Sequence, residues 1–414
     1  MMEAMGVRLL TMRVLMVGAV LLAAGGCRED LLAPGTGTCP EFCPPEQLQV
    51  VDSVLLDNVL SDSAFGGYVQ PSEATSLHVY RDSTDAGEAG SRAAIVFQAF
   101  SDSLLVAAGD TTRGAVLGTD SFTIVVPVRG RNPAFTGLEI AVHRIPIGTD
   151  TATTFADLDP YFADSTLLAV IAIPDTLLSD TVSAVLDSLA FPAFAADGNR
   201  AAVGVALRSP AGYVQLGSDD GQDGVQFTRH VRVDSAGVAV SRIEGKLPSF
   251  DSFRASPQAA AGPDERDVGG APASRTMLRF ALPPRIADSS TVLRATLVLV
   301  PTGPVMGAPG DSLGVIAQGL AADVGAKSPL QGIPVDSVSL RVAFVTVGAT
   351  DTVRLDVTDL VIGWTRDATR PRAFAVRAIP EGGSVALLRM GAAAGAARPR
   401  LHVTFVPPVS LGGR

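Results

Sequence analysis

The sequence predicts an all-β protein: two tandem jelly-roll-like β-sandwiches, each with a short amphipathic helix, behind a signal peptide and a disordered tether. Three observations predict it. Val, Thr, Gly, Pro, Ser and Asp are abundant while Lys and Met are sparse, a mix suited to short strands joined by turns. Segments of alternating polarity recur between turn residues, as the strands of a sandwich do. SRAAIVF at residues 91–97 has a near twin in SRTMLRF at 274–280, so one domain plan occurs twice. With 414 residues and 47% apolar content the chain can bury two such cores, at about one domain per 150 residues.

Taken in chain order, residues 1–26 read as a signal peptide. Arg8 and Arg13 precede the apolar run VLMVGAVLLAA, too short to span a bilayer but suited to the apolar region of an export signal. The run ends in LLAAGGCRED, where small residues lead to Cys27. This stretch resembles the lipobox of bacterial lipoproteins, although Ala24 stands where Leu is commonest. The resemblance implies that Cys27 is diacylated and becomes the mature N-terminus. The alternative is an ordinary secretory signal that leaves Cys27 free. Each buried methylene of an acyl chain contributes about 0.8 kcal/mol, and two chains hold a protein on a membrane without a transmembrane helix. Arg28 follows Cys27 where an inner-membrane retention signal would have Asp, so the expected location is the outer membrane.

Residues 27–49 form the tether, rich in Pro, Gly and Thr and without periodicity. Within it CPEFC carries Cys39 and Cys43. In an oxidising compartment this pair is either a disulfide or two free thiols, and no second Cys or His pair follows at zinc-ligand spacing.

The first sandwich is expected over 50–235, a linker over 236–249 and the second sandwich over 250–410. In GLEIAVHRI, Leu138, Ile140 and Val142 share one face; in LRATLVLV, Leu293, Ala295, Leu297 and Leu299 do, and both sets should face a core. His230 in VQFTRHVRV and His402 in RPRLHVTFV stand 172 positions apart, as do Tyr213 in YVQL and Val385 in VALL. Two short helices are expected between the paired strands. Val182, Val185, Leu186 and Leu189 recur at helical spacing, and so do Val357, Leu360, Val361 and Trp364.

SRTMLRFALP, LRATLVLV, RLDVTDLVIGW, FAVRA and RPRLHVTFV together resemble the DNRLRE domain over residues 250–408. That resemblance implies a jelly-roll module of secreted and surface proteins, related to carbohydrate-binding modules. The N-terminal copy matches only through its internal similarity, with Leu189 where the family's Trp would stand.

The chemistry-bearing residues point away from catalysis. HExxH, GxSxG and P-loop patterns are absent, and His78, His143, His230 and His402 lie on alternating strands, where structural or outward polar positions are expected. Asp219, Asp220 and Asp223 in GSDDGQDG make a calcium candidate, since calcium takes oxygen ligands from such loops. The matching loop RMGAAAGA has no acids, so a solvated turn is the competing reading. No other cofactor is expected. Tyr80 and Tyr213 are the candidate ligand-contact rings, while Trp364 falls on the core stripe of its helix. A net charge of −10 excludes nucleic acid as a natural partner. The expected function is a non-catalytic, lipid-anchored envelope protein. Its sandwiches would serve binding, adhesion or spacing, with a polysaccharide or a surface protein as partner. The alternative is a carbohydrate-binding module protein, and a polysaccharide-degrading enzyme stands behind both.

Overall fold

Strand-forming, β-branched segments dominate the chain, and they pair throughout into antiparallel ladders. The computed structural model describes residues 50–407 apart from 85–86, 108, 110, 187–190, 222, 289, 324 and 326–340. Cys27, Cys39, Cys43 and Leu189, with the signal, anchor, tether and disulfide expected around the cysteines, lie outside the described residues. The fold is all-β and sandwich-like, and residues Val51–Pro408 cluster as one compact unit.

The strands are β1 (Val51–Leu55), β2 (Val59–Gly66), β3 (Ser76–Thr84), β4 (Gly87–Phe97), β5 (Ser103–Leu105), β6 (Arg113–Arg131), β7 (Leu138–Arg144), β8 (Leu167–Ile173), β9 (Asp180–Val185), β10 (Ala202–Leu207), β11 (Gly212–Gly217) and β12 (Gln226–Ser235). They continue with β13 (Val238–Lys246), β14 (Pro248–Ala255), β15 (Glu265–Gly269), β16 (Ser274–Phe280), β17 (Thr291–Leu299), β18 (Ser312–Gly319), β19 (Ala343–Thr346), β20 (Val353–Asp356), β21 (Ala373–Ala378), β22 (Leu387–Gly391) and β23 (Arg400–Val406). Among the described residues, four short α-helices join them: α1 (Phe155–Leu158), α2 (Phe191–Ala196), α3 (Pro284–Ala287) and α4 (Thr358–Arg366).

The ladders define two lobes of matching plan. In the first, β6 pairs with β9 and β12 over its middle and with β11 near its end, so one 12-stranded sheet curls around a core that includes Ile95, Ile124, Val203 and Phe227. In the second, the counterpart of β6 is β17, which pairs with β20 and β23 in a 4-stranded sheet. Just after β17, the isolated bridges Pro301↔Met390 and Met306↔Leu387 join its connection to β22 of the 7-stranded sheet. The core between them includes Leu278, Leu297, Phe374 and Trp364.

Equivalent positions follow from the registers. Ser91 in β4 stands opposite Tyr80 as Ser274 in β16 stands opposite Gly269, so the twin heptapeptides take matching places in their ladders. The late strands match with a spacing of 174. Val214 opposes Val79 where Leu388 opposes Val268, and Phe227 opposes Ile124 where Leu401 opposes Leu297. His402 therefore corresponds to Thr228 and Tyr213 to Leu387, two positions from the equivalences that the spacing of 172 suggests. A slip of two keeps every side chain on its face, which is why alternation could not detect it.

The largest departure from the expected boundaries is where four strands go. β1 and β2 precede the first repeat in sequence, yet β1 pairs with β23 and β2 with β16, both in the second lobe. Residues 236–249, expected as a linker, hold β13 and the start of β14, and these pair with β12 and β4 in the first lobe. Each lobe is thus completed by the strand pair that leads the other repeat. The two exchanged pairs are equivalent in detail: Asp62 and Ser63 oppose Leu278 and Met277, while Asp251 and Ser252 oppose Ile95 and Ala94. Both ladders break register at the same step, between Ser61 and Val59 and between Phe250 and Pro248. The cores follow the ladders, with Phe253 of β14 in the first and Leu55 of β1 in the second.

Two local expectations are also corrected. The segment VSAVLDSL begins as strand β9, with Val182 and Leu186 buried and Ala184 facing inward, while Val185 is 66% exposed. A period of two accounts for these residues as well as a helical one, and pairing with β6 decides between them. Helix α2 follows instead, and its Phe194 is buried against Phe122 and Phe227. In β17 a register shift between Val292 and Arg294 turns Leu293 outward and Val292 inward, while Ala295, Leu297 and Leu299 keep their expected core places. Helix α4 forms where the sequence places it, with Leu360, Val361 and Trp364 buried.

Candidate functional site

A polar cleft lies in the first lobe, where two strands part company. On β4, Ser91 pairs with both Tyr80 of β3 and Ala255 of β14, and Ala93 pairs with both Val205 of β10 and Phe253 of β14. β3 and β10 therefore share one edge of β4 and diverge at Arg92. The opening, about 290 Å³, is lined by Tyr80, Arg81, Ser91 and Arg92 on β3 and β4, by His143 on β7, and by Arg208 beyond β10. That volume is near the lower end of ligand cavities, enough for one side chain or ring.

A capped turn supplies the cleft's outer wall. Thr154 accepts the Asp157 amide (3.2 Å) and Asp157 accepts the Thr154 amide (2.9 Å), starting helix α1 at Phe155. This reciprocal cap holds the Asp157 carboxyl below its ordinary pKa. The turn brings Phe155 and Phe162 against the Arg92 guanidinium, with centroids 4.4 and 4.7 Å from its carbon. Asp159, largely exposed, accepts one bond from Arg92 at 2.7 Å. The rings fix the planar guanidinium while leaving donors for a ligand.

His143 is 5% exposed, lies 5.1 Å from the Phe162 ring, and has Nδ1 3.2 Å from the Thr166 hydroxyl. Burial pushes its pKa down, so it is neutral at pH 7. The Ser91 hydroxyl is buried, Ser91 being 1% exposed, and finds no hydrogen-bond partner among the described residues. Arg81, Arg92 and Arg208 line the cleft with Asp164; Arg92 is bonded to Asp159, while Arg208 is exposed with no ion pair among the described residues. Such a site attracts and holds an anion; a guanidinium does not give up its proton to act as a base or acid.

A second groove, about 470 Å³, crosses the outer face of the 4-stranded sheet of the second lobe. Asp52, Arg294, Thr296, Arg354, Asp356 and His402 line it, with no Phe, Tyr or Trp among its lining residues. Burial, then Arg354 and Arg400, lower the pKa of His402.

Of the residues singled out in the sequence, Tyr80 reaches the first cleft but is only 3% exposed, and Tyr213 is 8% exposed. Neither offers an open face for stacking a sugar. The Tyr213 hydroxyl instead lies 2.7 Å from Nδ1 of His78, whose Nε2 faces the Gly382 carbonyl at 3.3 Å. That network assigns the neutral imidazole with its proton on Nε2. His78, expected at an outward position, is fully buried, and desolvation takes its pKa down to about 4. Asp219, Asp220 and Asp223 do not converge, and no group of three metal-ligating side chains occurs among the described residues. Asp223 pairs with Arg129 at 3.0 Å, and the Asp219 amide donates to buried Asp251 at 2.8 Å. The sequence reading missed Arg92, Ser91 and Arg208, although SR in SRAAIVF was in view as a repeat marker. No protein-family model matches the chain, and no curated protein matches it at a significant level.

Proposed function

We propose that the chain is a non-catalytic, lipid-anchored protein of the cell envelope, held in the outer membrane through Cys27, whose β-lobes bind a partner. The observation that carries the binding role is the cleft at Arg92. Arg92 packs against two rings there, and Arg208 is exposed with no ion pair among the described residues. The anchor rests on the lipobox-like LLAAGGC stretch, and the module type on the DNRLRE-like segments between residues 250 and 408. Neutral-glycan binding, the companion reading, loses its stacking platform because Tyr80 and Tyr213 are buried.

Metabolic labelling with a palmitate analogue tests the anchor. The wild-type chain is expected to take label and fractionate with membranes, and Cys27→Ser to do neither. A wild type that is expressed and stays unlabelled sinks the lipoprotein reading. Release of reducing or unsaturated sugar ends from any polymer would overturn the non-catalytic part.

A further inference from the structure

Arg275 occupies in the second lobe the place that Arg92 occupies in the first; where Arg92 has a single bond to the exposed Asp159, Arg275 is held by two bonds to a buried carboxylate. Glu381, on the loop between β21 and β22, takes two bonds of 2.6 Å from Arg275 and lies 3.6 Å from Arg377. Its carboxylate is 8% exposed, and the Tyr68 ring closes the opposite side 3.9 Å from the Arg275 guanidinium carbon. The corresponding loop of the first lobe, between β10 and β11, is RSPA at 208–211, against IPEGGSVA at 379–386. It is shorter, carries no acid and begins with Arg208. An acidic plug in one lobe thus corresponds to an open, cationic cleft in the other.

We propose that the first-lobe cleft docks an acidic peptide segment of a partner protein. The partner's carboxylate does for Arg92 and Arg208 what Glu381 does for Arg275 and Arg377. Bidentate pairing with a carboxylate is what a planar guanidinium favours, and Phe155 and Phe162 already hold Arg92 in one plane. Arg208 is exposed and forms no ion pair among the described residues, so its charge is available. Asp164 in the lining disfavours a second adjacent acid, so the segment is a single Glu or Asp among small neutral residues, as in PEGG. This deepens the proposed binding role and rests on it.

The chain's own plug supplies the probe. A fluorescein-labelled peptide with the sequence of residues 378–385, AIPEGGSV, is titrated with the full-length protein in detergent and read by polarisation. Saturable binding is expected, weakened about tenfold or more by Arg208→Ala in the protein or Glu381→Gln in the peptide, since each removes a charged partner. Arg232→Ala, an exposed cation elsewhere, should leave it unchanged. Absence of saturable binding, equal loss with Arg232→Ala, or loss with Arg354→Ala instead of Arg208→Ala overturns the proposal. Tighter, Arg208-dependent binding of a glucuronate polymer would also overturn it, by assigning the cleft to acidic sugars. None of these outcomes depends on lipidation of Cys27, so the anchor stands or falls separately.

Discussion

Asp251 and Asp62 each hold an exchanged strand to the loop beside it, in unlike surroundings. Asp251 accepts the Asp219 amide, and Asp62 accepts the amide of Ala393, which stands 174 positions on from Asp219. Asp62 also pairs with Arg266 at 2.7 Å, whereas Leu77 fills the equivalent of that arginine in the first lobe. Burial, with Asp219 and Asp220 near it, therefore raises Asp251 from 3.8 to about 6. A raised carboxyl contributes stability that is fully present below pH 3.8 and lost as the pH rises through about 6. Two units correspond to about 3 kcal/mol. Asp251→Asn keeps an acceptor for the amide and abolishes the titration. Its stability relative to wild type should rise by about 2 to 3 kcal/mol between pH 4 and pH 7, read from urea unfolding at both. A difference independent of pH would show an ordinary carboxyl. His78 works the other way, its contribution present above pH 6.5 and lost as the pH falls through about 4, but it is common to both proteins and cancels. FDSF and SDSA are visible in the sequence, yet two shared letters signal little until the ladders align them.

At the scale of elements, alternation was readable and partnership was not. Helix α4 announced itself because Leu360, Val361 and Trp364 fit only a helical stripe and Asp356 caps its start, accepting the Thr358 amide at 3.0 Å and the Thr358 hydroxyl at 2.6 Å. Strand β9 misled because Val182, Ala184 and Leu186 suit a period of two while Val182, Val185 and Leu186 suit a helical one, and the ladder to β6 separates them. Trp364 is 3% exposed and packs 4.6 Å from Phe374 between ring centroids. Trp364→Ala should cost about 3 to 5 kcal/mol in denaturant unfolding. A loss below about 1 kcal/mol would mean that the helix is seated by other contacts. The cleft was hidden for a related reason: Arg92 reads as one more strand arginine until Phe155 and Phe162, more than sixty positions on, close over it.

For the whole molecule, composition and repeats sufficed to predict two β-lobes, but the exchange of strand pairs between them is a choice among equivalent partners that no local pattern encodes. Deleting residues 50–66 strips β1 and β2 from the second lobe and leaves the first with its own complement, β13 and β14. Trp364, the single tryptophan, reports the second lobe alone. Its unfolding midpoint should fall sharply in the deletion and recover when a peptide of residues 50–66 is added. An unchanged midpoint would show the strands to be dispensable. The exchange also sets an order in time. A chain emerging from its N-terminus delivers β1 first, and its partner β23 last, about 350 positions later. β1 must wait, unpaired, for nearly the entire body to follow, and β2 must wait for β16. Meanwhile the first lobe can close once β14 has emerged, at Ala255. The protein is therefore finished from the inside outward, and a chain halted after β14 holds one completed lobe and two strands still open to any edge they meet.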